Sequence, residues 1–180
     1  MTPWWRLGPV RYEIRIARAE EYVLLADVER SAMQRFAEIP GLNHIADDEP
    51  NSLDIITSAA RCGAVFVAIH EALVVGFLIG GFLDRTVYIY ELAVLESHGR
   101  RGLGRALVEE ACRLARQEYL KGVTLSTFID VPWNGPFYER IGFRYLRRDE
   151  WTPGLHLVHD RESGKGLPMN RRSFMRKEIE

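Results

Sequence analysis

VYIYELAVLESHGRRGLGRALVEEA, Val87 to Ala111, runs from an alternating apolar strand through a turn of glycines and arginines into an apolar-periodic segment. Leu103, Ala106, Leu107, Ala111, Leu114 and Ala115 recur at helical spacing, which predicts an amphipathic helix from about Gly102 to Tyr119. Gly102 and Gly104 therefore fall in its first turn, where backbone amides have no intrahelical partner and carry the positive end of the helix dipole. With no side chains in the way, and with Arg100, Arg101 and Arg105 adding charge, the turn suits an anion, phosphate above all. A plain strand-to-helix turn with surface arginines is the competing reading. Two other phosphate loops do not fit. A Walker loop needs Lys-Ser/Thr after its last glycine, where Arg105-Ala106 stands, and a dinucleotide fingerprint needs a third glycine in place of Leu107.

Composition describes an ordinary globular chain: 180 residues, 47% hydrophobic and 27% charged. A formal net charge of −1 argues against a dedicated nucleic-acid or membrane-surface protein. Cys62 and Cys112 lack metal-ligand spacing and are expected as reduced core residues, which suits the cytoplasm. The opening MTPWWRLGPV lacks the apolar run of a signal peptide, and the stretch Ala72 to Leu83 is too short and glycine-broken to span a membrane. Residues 1–10 are expected as an N-terminal extension, and 11–180 as a single domain without repeats or linkers.

Alternation and helical periodicity order the rest of the chain. A strand begins at Tyr12, a helix spans Glu20 to Phe36, and a polar connection leads to a short helix over Leu53 to Ala60. Three strands follow, broken at His70-Glu71-Ala72 and at Asp84-Arg85. After the glycine-rich helix come the strand GVTLSTFI, a short helix in WNGPFYERIG and the strand FRYLRR. A short helix near Leu155 to Glu162 and the strand RRSFMRKEI close the sequence. The class is α/β.

ELAVLESHGRRGLGRALVEEA and FYERIGF, in this order and spacing, resemble the two strongest motifs of the GCN5-related N-acetyltransferase (GNAT) superfamily. The resemblance covers the chain after residue 11. It implies a mixed, mostly antiparallel central sheet flanked by helices, acetyl-CoA as cofactor, and acetyl transfer to a primary amine of a small molecule or peptide. Transfer would be direct, in a ternary complex. It further implies that amides of Arg100, Arg101, Gly102, Leu103, Gly104 and Arg105 cradle the pyrophosphate of coenzyme A. Leu92, Ala93 and Val94 would hydrogen-bond its pantetheine arm, and Tyr138 would protonate its thiolate. A homodimer is the family's common habit. Two positions depart from the pattern: Gly99 stands where Arg or Gln is usual, and Val131 where Asn is common. Asn134 is offered either to the pantetheine or as a helix cap.

The amine must lose a proton, and Glu91 is the leading candidate base. It interrupts an apolar strand, on the face predicted for Val87, Ile89, Ala93 and Leu95, and reaches a cleft only where that strand is bulged or splayed. Tyr88, Tyr90 and a water relay are its alternatives. The expected oxyanion donor is a backbone amide near Ala93 or Val94. Phe36, Tyr90, Asp130 and Trp133 are expected to line the acceptor site. His44, Asp47, Asp48 and Glu49 lie on the connection beside it, where the acids equally suit a helix start. Arg171, Arg172, Arg176 and Lys177 read as a solvated strand surface, and the segment PGLHLVHDRESGKGLPMN as a cover for the acceptor site or an interface. The alternatives in function are a catalytically silent acyl-CoA-binding sensor or interaction module, and a nucleotide-binding α/β protein.

Overall fold

The computed structural model describes residues 11–179, so the N-terminal extension expected at 1–10 lies outside the described residues. The strands are β1 (Glu13–Ile16), β2 (Val65–His70), β3 (Leu73–Leu83), β4 (Thr86–Val94), β5 (Gly122–Phe128), β6 (Arg144–Tyr145) and β7 (Arg172–Glu178). The helices are α1 (Tyr22–Met33), α2 (Leu53–Ala60), α3 (Leu103–Gln117), α4 (Gly135–Arg140) and α5 (Pro153–Gly164). All seven strands form one sheet in the order β1-β2-β3-β4-β5-β7-β6. Every neighbouring pair is antiparallel except β4 with β5. The mixed, mostly antiparallel sheet expected from the sequence is therefore the observed one.

Local chemistry explains this order. Two-residue turns at Glu71-Ala72 and Asp84-Arg85, all four residues at positive φ, fold β2, β3 and β4 into consecutive hairpins whose twist such turns match. A parallel β5 then needs a crossover, which α3 provides. The apolar stripe of α3 buries Leu107, Val108, Ala111 and Cys112 against Val87, Ile89 and Val123. Each fully buried large aliphatic side chain of this kind contributes about 1.5–3 kcal/mol. On the opposite face α1 and α2 set Leu25, Val28 and Ile56 against Phe77, Ile79 and Ala93. Further along that face, Leu155 of α5 packs on Tyr88 and Phe174.

The β4–β5 pairing shapes the site. It joins Thr86–Ile89 to Gly122–Leu125 and then stops. Beyond that point β5 pairs only with β7, so β4 runs on with a free edge from Tyr90. On its other side the register slips: Ile79 faces Glu91 and Gly80 faces Ile89, which leaves Tyr90 as a bulged extra residue. Bulge and parting occur at the same place, and the sheet opens there.

Helix α5 spans Pro153–Gly164, longer than the expected Leu155 to Glu162, because Pro153 is pre-set for the first helical position. The expected strand FRYLRR is reduced to Arg144–Tyr145. Cys112 is buried, Cys62 is half-buried, and both are free thiols. Among the described residues no helix is long and apolar enough to cross a membrane. At Gly122 a Cβ would run into the Lys177 carbonyl oxygen of β7. Gly122→Ala is expected to destabilise the protein by about 1–3 kcal/mol through overpacking. A lowered thermal midpoint with the fold retained would show this, and an unchanged midpoint would mean that β5 and β7 separate freely.

Candidate active site

Where β4 and β5 part, a cleft of about 1550 Å³ passes through the sheet. On one face it is bounded by the starts of α3 and α4, and on the other by α1, the connection before α2, and α5. Such a volume exceeds the ~300–1,000 Å³ of a single small-ligand pocket. The site has room for two reactants.

The glycine turn forms one end. Gly102 caps α3 with φ +82°, a left-handed conformation that glycine adopts without strain, and Arg100 before it also has positive φ, 55°. A Cβ at Gly102 would meet nothing within 4 Å, whereas one at Gly104 would press on the Phe137 ring at 3.3 Å. Arg100, Gly102, Leu103, Gly104 and Arg105 line the cleft, and Arg101 does not. Leu92, Ala93 and Val94 line it along the free edge of β4.

Asn134 lies across the cleft at the start of α4. Its carbonyl oxygen accepts the Phe137 and Tyr138 amides at 2.8 and 3.1 Å, while its side chain makes no capping bond. The buried Nδ2 has no partner among the described residues. An unpaired buried donor costs about 1–3 kcal/mol, and a ligand carbonyl would remove that cost.

Tyr138 is 7% exposed and sits between the rings of Phe137 and Phe143, with centroids 5.0 and 5.4 Å away. Burial, and then the charge of Glu91, push its phenol well above the usual range, so it stays protonated. The bulge decides the placement of Glu91. Val87 and Ile89 face α3, but beyond the bulge Glu91 and Ala93 stand opposite Ile79 and Phe77, on the α1 face. The expected single face of Val87, Ile89, Glu91 and Ala93 is therefore split in two. Glu91 is half-buried and lines the cleft. Desolvation, then the charge of Glu29, push its carboxyl up to about 8. Burial drives the Tyr88 phenol far up, which removes its phenolate as a base near neutrality. Tyr90 packs on Tyr88, with centroids 5.0 Å apart, and is exposed to the cleft.

The acceptor side joins aromatic and charged groups. Phe36 packs against Phe128 and Trp133, each pair of centroids 5.7 Å apart, and the Arg35 guanidinium lies 4.1 Å over the Trp133 ring. Phe36 and Trp133 line the cleft; Asp130 does not. Asp130 is instead ion-paired with Arg171 at 2.8 Å, and Arg171 also donates to the Pro40 carbonyl oxygen at 2.7 Å. Of the acidic connection, Asp48 and Glu49 face the cleft, with His44.

The basic end of the chain is not a solvated surface. Arg172 pairs with Glu162 of α5 at 2.8 Å, Ser126 donates to the same carboxylate at 2.7 Å, and Lys177 reaches Glu109 at 3.3 Å. Arg176 buries an Nε that has no partner among the described residues. Sequence reasoning missed Glu29, Asn51, Glu162 and Arg172, all of which line the cleft. For Glu29 a signal existed, since it sits one helical turn after Leu25 on the buried stripe of α1.

Residues 61–145 match the acetyltransferase (GNAT) domain family. The fold is similar to that of the PaiA N-acetyltransferase of Thermoplasma acidophilum, solved with coenzyme A, with TM-score 0.71, 15% identity and coverage of 94% of this chain and 99% of that one. It is similar to a GNAT-family acetyltransferase of Staphylococcus aureus, with TM-score 0.70, 16% identity and coverage of 94% and 100%. Ard1 of Thermoplasma volcanium matches with TM-score 0.61, 20% identity and coverage of 95% and 99%. At these identities the likeness is one of fold.

Removing Arg172 leaves the Glu162 carboxylate with the Ser126 hydroxyl and no cation. Arg172→Met is expected to destabilise the protein by about 3 kcal/mol, the lower end for breaking a buried pair. Denaturant midpoints would measure this, and an unchanged midpoint would show that the α5–β7 pair contributes nothing to stability.

Proposed function

We propose that this chain, whose residues 61–145 match the acetyltransferase (GNAT) domain family, transfers an acetyl group from acetyl-CoA to a primary amine of a small molecule or peptide, by direct attack with both reactants bound. The observation that carries this reading is the parting of β4 from β5. It aligns a free strand edge, the unpaired amides of a helix start and the orphaned Asn134 Nδ2 along one cleft. These donors fit coenzyme A, whose extended pantetheine arm carries amides and leads into a pyrophosphate.

Leu92, Ala93 and Val94 hold the pantetheine arm, and Asn134 meets one of its carbonyl oxygens. Amides of the Arg100 to Arg105 turn hold the pyrophosphate, with Arg101 adding charge from outside the cleft. Acetyl-CoA supplies the thioester whose acetyl group is transferred. Phe36, Trp133 and Tyr90 form the walls against which the acceptor packs. Glu91, with its raised proton affinity, is far better matched to an ammonium than an ordinary carboxylate is. In becoming an amide the ammonium gives up two protons. One leaves to water through Glu91. The other replaces the proton that Tyr138 donates to the departing sulfur. An amide of Ala93 or Val94 stabilises the charge that develops on the acetyl oxygen. The domain begins near residue 11, and the two free thiols suit the reducing cytoplasm.

The thermal midpoint tests the cofactor. Acetyl-CoA or coenzyme A at a hundred times its dissociation constant stabilises by about 2.7 kcal/mol, or several degrees. NAD and ATP should produce no shift. Absence of a shift with either coenzyme A species would end the acetyltransferase reading. Tyr138→Phe is expected to lower kcat by about 10²-fold, within the usual worth of a general acid, with the Kd for acetyl-CoA nearly unchanged. Equal losses in kcat and affinity would remove its role as acid.

A further inference from the structure

We propose that Glu29 and Glu91 form one proton-sharing carboxylate pair at the acceptor end of the cleft, in which Glu29 is a positioning residue that keeps the negative charge and Glu91 carries the proton. The proposal rests on the acetyltransferase reading for the use made of that proton, and on placement alone for the existence of the pair.

Placement comes first. The bulge at Tyr90 turns Glu91 onto the α1 face, opposite Ile79, whose side chain belongs to the same cluster as Leu25, Val28 and Ala93. Glu29 follows Val28 on α1, is 4% exposed, and lines the same cleft as Glu91. A buried carboxylate is ordinarily held by a cation, yet among the described residues none lies within ion-pair distance of Glu29. It is held by Asn51 instead, whose backbone amide donates to one oxygen at 3.0 Å and whose Nδ2 donates to the other at 2.8 Å. Donors on both oxygens favour the ionised form, so the charge belongs on Glu29. Glu91 has only the Leu92 backbone amide as a donor to favour its charge, against the two donors on Glu29, so the proton belongs on Glu91.

The surrounding charges agree with this division. Glu29 and Arg172 act on Glu91, and Glu91 acts on Tyr138 of α4. Arg30 of α1 and Lys165 beyond α5 act on Glu29. Tyr88 and Tyr90 precede Glu91 on β4, and burial keeps the Tyr88 phenol protonated. Arg172 is committed to Glu162 and Ser126. Burial raises both carboxyls, and the fixed charge of Glu29 raises Glu91 further. The chemistry follows directly. When an ammonium ion binds, Glu91 releases its proton to water. The carboxylate then takes one proton from the ammonium and leaves a neutral nitrogen to attack. A neutral arylamine offers no charge to offset the buried anion, so the pair favours aliphatic amines.

Carbon-13 NMR of glutamate-labelled protein tests the pair without any substrate. In the unaltered protein one carboxyl should titrate near 8 and vanish in Glu91→Gln. In that variant Glu29, which ionises while Glu91 is still protonated, should keep its midpoint. In Glu29→Gln the Glu91 midpoint should fall towards the ordinary carboxylate range. A Glu91 midpoint that stays put there would overturn the pair. Because Glu29 lies in the core, Asn51→Ala serves if Glu29→Gln does not fold: it removes a donor from Glu29 and should raise the Glu29 midpoint, and an unmoved midpoint would overturn the division of charge. Stability provides a second readout. Both carboxyls bind protons more tightly in the folded protein, so their contribution is lost as pH rises from the ordinary carboxylate range to about 8. The thermal benefit of Glu29→Gln should therefore grow with pH across that window, and should grow less in a Glu91→Gln background. Equal growth in both backgrounds would refute the coupling. A protein that shows the coupling but binds no acetyl-CoA would retain the pair and lose the transferase reading.

Discussion

Backbone hydrogen bonding governs this molecule. A strand in the middle of a sheet satisfies its amides and carbonyls on both sides, and β4 does so only as far as Ile89. Past that residue its free edge faces the same cleft as the first turn of α3, whose amides are unpaired by helix geometry. The cores on the two faces stop the sheet from closing this gap. α3 wedges Leu103, Leu107 and Val108 under one side, while α1 and α2 hold Leu25, Val28 and Ile56 on the other. The site is thus a set of polar backbone groups kept waiting by apolar packing.

Side chains then divide the cleft by chemistry. The α3 and α4 face offers donors and positive charge, with Gly102 and Gly104 keeping the backbone accessible. The α1 and α5 face mixes aromatic surface with carboxylates: Phe36 and Trp133 form an edge-to-face wall, and Glu29, Asp48, Glu49 and Glu162 lie around it. Lys165 and Arg161 of the α5 region stand at the same mouth.

What the sequence made legible is what repeats locally. The period of Leu103 to Ala115 marked α3, the turn dipeptides Glu71-Ala72 and Asp84-Arg85 marked the hairpins, and both glycines of the anion turn fell where they were expected. A bulge or splay of this strand was legible as the condition for Glu91 to reach a cleft, but its place at Tyr90 was not, because that depends on the register of β4 against Gly80 in another strand. Partners far apart in sequence were hidden in the same way. Asp130 is drawn to Arg171, Arg172 to Glu162, and Glu29 to Asn51, and no periodicity within a single element records such choices.

The position of β7 bears on how the molecule comes to exist. β2, β3 and β4 add one hairpin at a time, with contacts between near neighbours in sequence. The β5 side cannot grow that way, because β7 inserts between β5 and β6, and the chain must close a long loop from Phe128 to Arg172 before β5 gains its second partner. Loop closure of this kind carries an entropic cost that the hairpins avoid, so the β5–β7 pairing forms more slowly than they do. During synthesis the hairpin half can emerge and settle while β5 still lacks the strand that draws it away from β4. The opening between β4 and β5 is therefore a late product of folding, complete only when β7 has docked on β5.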